Sequence, residues 1–141
     1  MKINIAETTD NEIQEIIEKM SKIDAEYVDQ GYVEMETPYE IGIGIALFPE
    51  LLSYHDGKNW VTIPWICLKI DLDGEYAVNE DKQRELVKWL VKNLQSVELH
   101  PFKDEDSFAG YSSREQRKGY TIIKLYVNPS YPDGYWSNHA L

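Results

Sequence analysis

The chain has 141 residues, of which 43% are hydrophobic and 28% are charged, and this composition is typical of one soluble globular domain. Its formal net charge of −11 disfavours direct binding to nucleic acid or to an anionic membrane surface, because both are themselves negatively charged. Cys67 is the single cysteine, so no internal disulfide can form, and no apolar run reaches the ~18 residues that span a bilayer. These features together predict a cytoplasmic protein.

The negative charge is concentrated in the first part of the chain. Residues 1–60 contain 13 acids and 4 bases, whereas residues 101–141 contain 5 of each. The intervening residues, 61–100, contain 7 acids and 5 bases. This layout predicts an acidic surface on the N-terminal half. Solubility alone is the other interpretation of so acidic a chain.

The first predicted elements are a short strand and a long helix. Residues 2–6 alternate as a strand does. Thr9 and Glu12 then form a T-x-x-E capping box, which marks the start of a helix. Apolar side chains follow at helical spacing as far as Gly31, which can end a helix because glycine adopts a positive φ at low cost. The pattern predicts a helix over residues 10–30.

The next segment predicts strand structure with two unlike faces. Residues 31–40 are predicted to be a loop or an edge strand, and residues 41–48 a strand. Gly42 and Gly44 alternate with isoleucines, so one face is small and the other bulky. We interpret the small face as a place where a helix or another backbone packs closely. A strand that faces a ligand is the alternative.

The middle of the chain carries a hairpin signal and a second helix signal. Residues 51–63 contain an Asp-Gly pair at 56–57, which suits a two-residue turn between antiparallel strands. Residues 66–72 alternate and predict a further strand. Asn79 can cap a helix, and the apolar stripe that follows predicts that this helix covers residues 80–95.

The last third of the chain predicts strands and an irregular tail. Residues 97–102 predict a short edge strand, residues 113–118 one helical turn, and residues 119–127 a strong strand near the centre of the sheet. Prolines and glycine make residues 128–141 an irregular tail. This tail either packs on the core or displays its large rings to a partner, and those rings are Tyr131, Tyr135 and Trp136.

The elements together predict the fold class α+β in a single domain over residues 1–141. We expect a mostly antiparallel sheet of about five to seven strands with two main helices packed on one face. A split β-α-β core with an inserted hairpin is one arrangement that fits this element order.

Residue patterns give no support to a particular chemistry. The histidines His55, His100 and His139 lack the spacing of metal ligands, and Cys67 lies in mid-strand with no neighbouring base, so a packed thiol is expected. No nucleophile elbow or phosphate-binding loop occurs. We therefore predict no metal, no cofactor and no catalytic residue. An enzyme whose site assembles from distant segments is the alternative.

The charge layout favours a protein-binding module, and the analogous class is the inhibitor or immunity-type protein that neutralises a basic partner such as a toxin. The predicted partner-binding residues are Glu26, Asp29, Glu34, Glu36, Tyr135 and Trp136. The alternatives are an enzyme or small-ligand binder with a pocket on the Gly42/Gly44 face, and a structural or phage-type accessory protein. A monomer and a small homo-oligomer both fit the sequence.

Overall fold

The computed structural model describes residues 5–23, 25–29, 31–55 and 57–127. The helices and strands in chain order are α1 Ile5–Met20, β1 Ala25–Asp29, β2 Tyr32–Glu36, β3 Gly42–His55, β4 Trp60–Asp73, α2 Gly74–Val78, α3 Glu80–Ser96, β5 Ser112–Arg117 and β6 Tyr120–Val127. The strands form one sheet in the order β1-β2-β3-β4-β6-β5, and every neighbouring pair is antiparallel. The predicted α+β class is confirmed.

One face of the sheet carries the hydrophobic core. Alternate side chains of β2, β3, β4 and β6 point to this face, and α1 and α3 cover it with their apolar stripes. Ile16 of α1, Leu90 of α3 and Ile70 of β4 are fully buried there. The opposite face, which we call the open face, has no helix on it among the described elements.

The first helix differs from its prediction at both ends. It begins at Ile5, so Thr9 lies inside it and the T-x-x-E pattern does not mark its start. Of the strand predicted over residues 2–6, residues 2–4 lie outside the described residues, and residues 5 and 6 belong to α1 instead. It ends at Met20, and the segment after it forms the β1–β2 hairpin around Gly31, whose φ is +71°. Tyrosines and valines in this segment favour a strand, and pairing with β3 overrides the helical spacing.

Two short elements were predicted wrongly. Residues 97–102 form no strand, because the N–H groups of Val97, Glu98 and Leu99 return to carbonyls of the last turn of α3 and cap that helix. Residues 113–118 form most of β5 rather than a helical turn, because they pair with β6 across the tight turn at Gly119. The sequence also gave no sign of α2, the single helical turn over Gly74–Val78.

Several other predictions are confirmed. The Asn79 side chain accepts a hydrogen bond from the Lys82 N–H at 3.0 Å and caps α3. The 51–63 hairpin exists, although His55 pairs with Trp60, so the connection has four residues instead of two. Strand β6 lies between β4 and β5, so β4, α3 and β5 form a split β-α-β unit. The predicted hairpin insertion is not observed, because the β3–β4 hairpin comes before α3 in the chain.

The tail over residues 128–141 lies outside the described residues.

Candidate functional site

The open face carries several of the residues that the sequence predicted to bind a partner. The register places Tyr32, Ala46, Lys69, Lys124 and Ser113 in one row across five strands, and residues two positions away lie on the same face. Among the described side chains, its carboxylates are Asp29, Glu34, Glu36, Glu50, Asp71, Asp73 and Glu115, and its cations are Lys69, Arg117 and Lys124. The face is therefore predominantly negative.

Each cation on the open face lies beside a carboxylate of the same face. The Lys69 Nζ is 3.9 Å from the Asp71 Oδ1, the Lys124 Nζ is 3.6 Å from the Glu50 Oε1, and the Arg117 Nη2 is 2.9 Å from the Glu115 Oε1. All three cations are thus locally compensated.

Among the described side chains, the open-face carboxylates that are not paired with a cation lie at one end of the sheet. Within the described ranges, Glu34, Glu36 and Asp73 take part in no salt bridge. Glu34 and Glu36 stand opposite Gly44 and Gly42, and Asp73 ends the adjacent β4. The residual negative charge is therefore concentrated around the start of β3.

The structure brings three of the six predicted partner-binding residues together. Asp29, Glu34 and Glu36 are exposed and lie on the same face of β1 and β2. Glu26 belongs to β1, but its side chain is outside the described part of the structure. Tyr135 and Trp136 lie outside the described residues.

Tyr32 belongs to this surface as well, although the residue patterns did not predict it. Its ring lies among the three acids, and its hydroxyl donates a hydrogen bond to the Glu34 Oε1 at 3.1 Å. The sequence left residues 31–40 as a loop or an edge strand, so the direction of the Tyr32 side chain could not be predicted. Because residues 32–36 form a strand, alternation places Tyr32 on the same face as Glu34 and Glu36. We call the surface formed by Asp29, Tyr32, Glu34 and Glu36 the acidic patch.

The small residues of β3 accommodate an aromatic side chain. A methyl group on Gly44 would stand 2.9 Å from the Cζ of Tyr32, so the glycine leaves the space in which the tyrosine ring lies. At Gly42 the nearest atom to such a methyl group would be the Glu36 Oε1, at 3.7 Å. Within the described residues, the group that approaches Gly44 is thus the Tyr32 ring and not the helix or further backbone that the sequence predicted.

Two shallow depressions lie toward the β5 side of the open face. The larger has a volume of about 470 Å³ and is lined by Lys69, Asp71, Leu72, Asp73, Arg117, Tyr120 and Ile122. The smaller, of about 170 Å³, is lined by Ser113, Arg114, Glu115, Ile122, Lys124 and Tyr126. Both combine charged groups with an aromatic ring, a lining that suits polar side chains of a protein surface better than an apolar ligand.

A partly buried group of titratable residues surrounds Glu50 at the base of the β3–β4 hairpin. Burial, and after it the nearby Glu50 carboxylate, raises the pKa of the Cys67 thiol to about 12. Burial raises the pKa of Tyr126 to about 12 as well. Cys67 is fully buried, which confirms the expected packed thiol. A thiol held in its neutral form is a poor nucleophile, so Cys67 does not support covalent catalysis.

None of the helices in the described residues is long and apolar enough to cross a membrane. Within those same residues, no three His, Cys, Asp or Glu side chains come together in a group that could hold a metal ion. Comparison of the chain with models of protein families, with curated proteins and with solved structures found no match. The case for a function therefore depends on the geometry of the open face.

Proposed function

We propose that this protein is an acidic protein-binding module of the cytoplasm that docks a basic protein partner on its open face. The observation that carries the proposal is the acidic patch: Asp29, Glu34 and Glu36 are exposed together on a sheet face that no described helix covers. Two of these carboxylates, Glu34 and Glu36, have no compensating cation among the described side chains.

The arrangement suits electrostatic recognition. Uncompensated carboxylates grouped on one surface attract a positively charged protein over distances of about 10 Å at moderate salt, and this attraction raises the rate of association. Tyr32 supplies a ring in the middle of the acids, and tyrosine is a favoured anchor in protein interfaces. The charge therefore guides the encounter, and the ring contributes contact area once the complex has formed.

The partner class that best fits such a surface is a protein whose working surface is basic, as in an enzyme that acts on nucleic acid. A protein that binds phosphates needs lysines and arginines on that surface, and an acidic sheet face is complementary to it. By covering the basic surface of the partner, this protein would block the partner's access to nucleic acid. The proposed role is therefore that of an inhibitor or immunity-type protein that neutralises a basic toxin.

The test uses two variants of equal charge. In the patch variant, Asp29, Glu34 and Glu36 are changed to Lys; in the control, the exposed acids Glu18, Glu85 and Glu105, which are not on the open face, are changed to Lys. Both variants and the wild-type protein serve as bait for capture from host lysate, followed by mass spectrometry. We expect a basic protein that wild type and control retain and that the patch variant loses.

Binding kinetics with the captured protein then separate long-range electrostatic attraction, which acts on the association rate, from contacts within the complex, which act on the dissociation rate. The association rate constant of the wild type should fall steeply as salt is added, and the patch variant should lower this rate constant far more than it raises the dissociation rate constant. An association rate that does not change with salt would remove the acidic patch from the mechanism. An equal loss of binding in the control would show that only net charge matters.

A further inference from the structure

The β3–β4 hairpin extends beyond the rest of the sheet as a two-stranded arm. β2 pairs with β3 only as far as Ala46, and β6 pairs with β4 only from Ile66 onward. Residues 49–55 therefore pair with residues 60–66, and apart from Ile66 none of these residues pairs with another described strand. We call these two segments the arm.

The outer edge of the arm presents backbone groups that pair with no described strand. The Leu47 N–H donates to the Gly31 carbonyl at 2.9 Å, so Leu47 directs its N–H toward the β2 side of β3. The β3–β4 register continues without a break to His55, and alternate residues of a strand direct their backbone groups to the same side. Leu51, Ser53 and His55 therefore direct N–H and C=O groups outward, and no described strand pairs with them.

This edge lacks the features that keep the outer edges of the sheet from pairing. Strand β5 carries charged side chains along its length, and β1 is a strand of only five residues. On the arm, Pro49 cannot donate a hydrogen bond, but residues 51–55 contain no proline and no Asp, Glu, Lys or Arg. The arm edge is therefore competent for strand addition.

The arm also holds two of the three most exposed large apolar side chains among the described residues, and it is electrically neutral. Trp60 is 74% exposed and Leu51 is 67% exposed, and they project from the same face of the arm. Residues 51–65 contain one acid and one base in a chain of net charge −11. Two copies can therefore meet at the arm without the repulsion that opposes contact elsewhere.

We propose that the protein forms a homodimer in which the β3 edges of two arms pair antiparallel about a two-fold axis at Ser53. Ser53 then stands opposite Ser53 of the second copy, and Leu51 opposite His55 of the second copy. Because these residues direct their backbone groups outward, each pair exchanges two N–H···O=C hydrogen bonds.

Side chains reinforce this pairing. Within one chain the rings of His55 and Trp60 meet edge to face, with their centroids 5.5 Å apart. In the dimer, Leu51 of one copy lies next to that ring pair of the other, which removes the exposed leucine and part of the exposed tryptophan from water. The acidic patch takes no part in the contact, so the proposal does not depend on the proposed function.

Sedimentation equilibrium across a dilution series tests the assembly. The wild-type protein should dimerise, and Ser53→Lys should raise the dissociation constant of the dimer by roughly 5-fold or more, because it places two like charges directly opposite each other at the axis. Ser113→Lys is the matched control: it changes another exposed strand serine, on β5 away from the arm, and should leave the dimer intact. A wild-type protein that stays monomeric throughout the series would overturn the proposal.

Crosslinking tests the register. Residues of a hydrogen-bonded antiparallel pair have Cα atoms ~5.5 Å apart, a separation that a disulfide can span. Ser53→Cys should therefore form a covalent dimer under mild oxidation, whereas Ser113→Cys should not. The native Cys67 cannot interfere in the folded protein because it is fully buried. A covalent dimer that forms equally in both variants, or in neither, would show that the two-fold axis does not lie at Ser53.

Discussion

The ring of Tyr32 on β2 lies across Gly44 on β3, on the face of the sheet that the helices leave open. Glu34, the residue directly opposite Gly44, accepts the hydrogen bond of the Tyr32 hydroxyl. A glycine on one strand and a tyrosine on the next thus fix the position of a carboxylate in the acidic patch. The absence of a side chain at Gly44 is what allows this arrangement.

Gly44→Ala should therefore destabilise the protein. The added methyl group would overlap the Tyr32 phenol and push this half-buried ring toward a less favourable rotamer, which costs about 0.5–1.5 kcal/mol in the free energy of unfolding. In a Tyr32→Ala background the same substitution should be much less costly. Gly42→Ala is the control, because its methyl group has room and alanine suits a strand better than glycine. Equal losses at Gly42 and Gly44 in urea titrations would contradict this relationship.

Ile16 provides a test of how α1 packs. Its side chain is fully buried in the core, so Ile16→Ala should lower the free energy of unfolding by about 2–5 kcal/mol. Val78, which is 72% exposed on α2, is the control, and Val78→Ala should stay within about 0.5 kcal/mol of the wild type. A loss below ~0.5 kcal/mol for Ile16→Ala would mean that α1 does not cover the sheet as described.

The sequence predicted best where a single pattern decided the structure. The helix over 80–95 has a capping asparagine and an unbroken apolar stripe, and α3 covers Glu80–Ser96. The strand over 119–127 alternates throughout, and β6 covers Tyr120–Val127. In both segments, local propensity and tertiary packing favour the same structure.

The failures lie where pairing between distant segments decided the structure. Residues 25–29 continued a helical spacing but became β1, because the hairpin with β2 adds to the edge of β3. Residues 113–118 have no apolar pattern at all, and their strand depends on β6 and on the Arg114 Nε, which donates to the Gln83 Oε1 of α3 at 2.6 Å.

The same limit applied to the candidate site. The acids Asp29, Glu34 and Glu36 could be chosen from the charge layout, but Tyr32 entered the acidic patch only once β2 was known to be a strand. The arm could not be predicted from the sequence either. The hairpin turn was readable in the sequence, but the point at which β2 and β6 stop pairing with β3 and β4 was not.

Cys67 and Tyr126 make stability at alkaline pH a test of the packing around Glu50. Their pKa values are raised from 9.0 and 10.0 to about 12 each, so the folded protein keeps both protons at a pH where the unfolded chain releases them. Where the unfolded state binds fewer protons, the free energy of unfolding falls as pH rises. The contribution of these groups is therefore complete below about pH 9 and is lost progressively toward pH 12.

The measurement is a series of urea titrations between these two pH values on the wild type and on a variant carrying Cys67→Ala and Tyr126→Phe. The variant should lose stability less steeply with rising pH, even if its stability at neutral pH is lower because of the smaller side chain at 67. Thiol labelling supplies an independent readout: at pH 9 a disulfide reagent should leave Cys67 of the folded protein unmodified and label it rapidly once urea unfolds the chain. Parallel pH profiles for the two proteins, together with rapid labelling of the folded state, would show that Cys67 and Tyr126 are not shielded at the base of the arm.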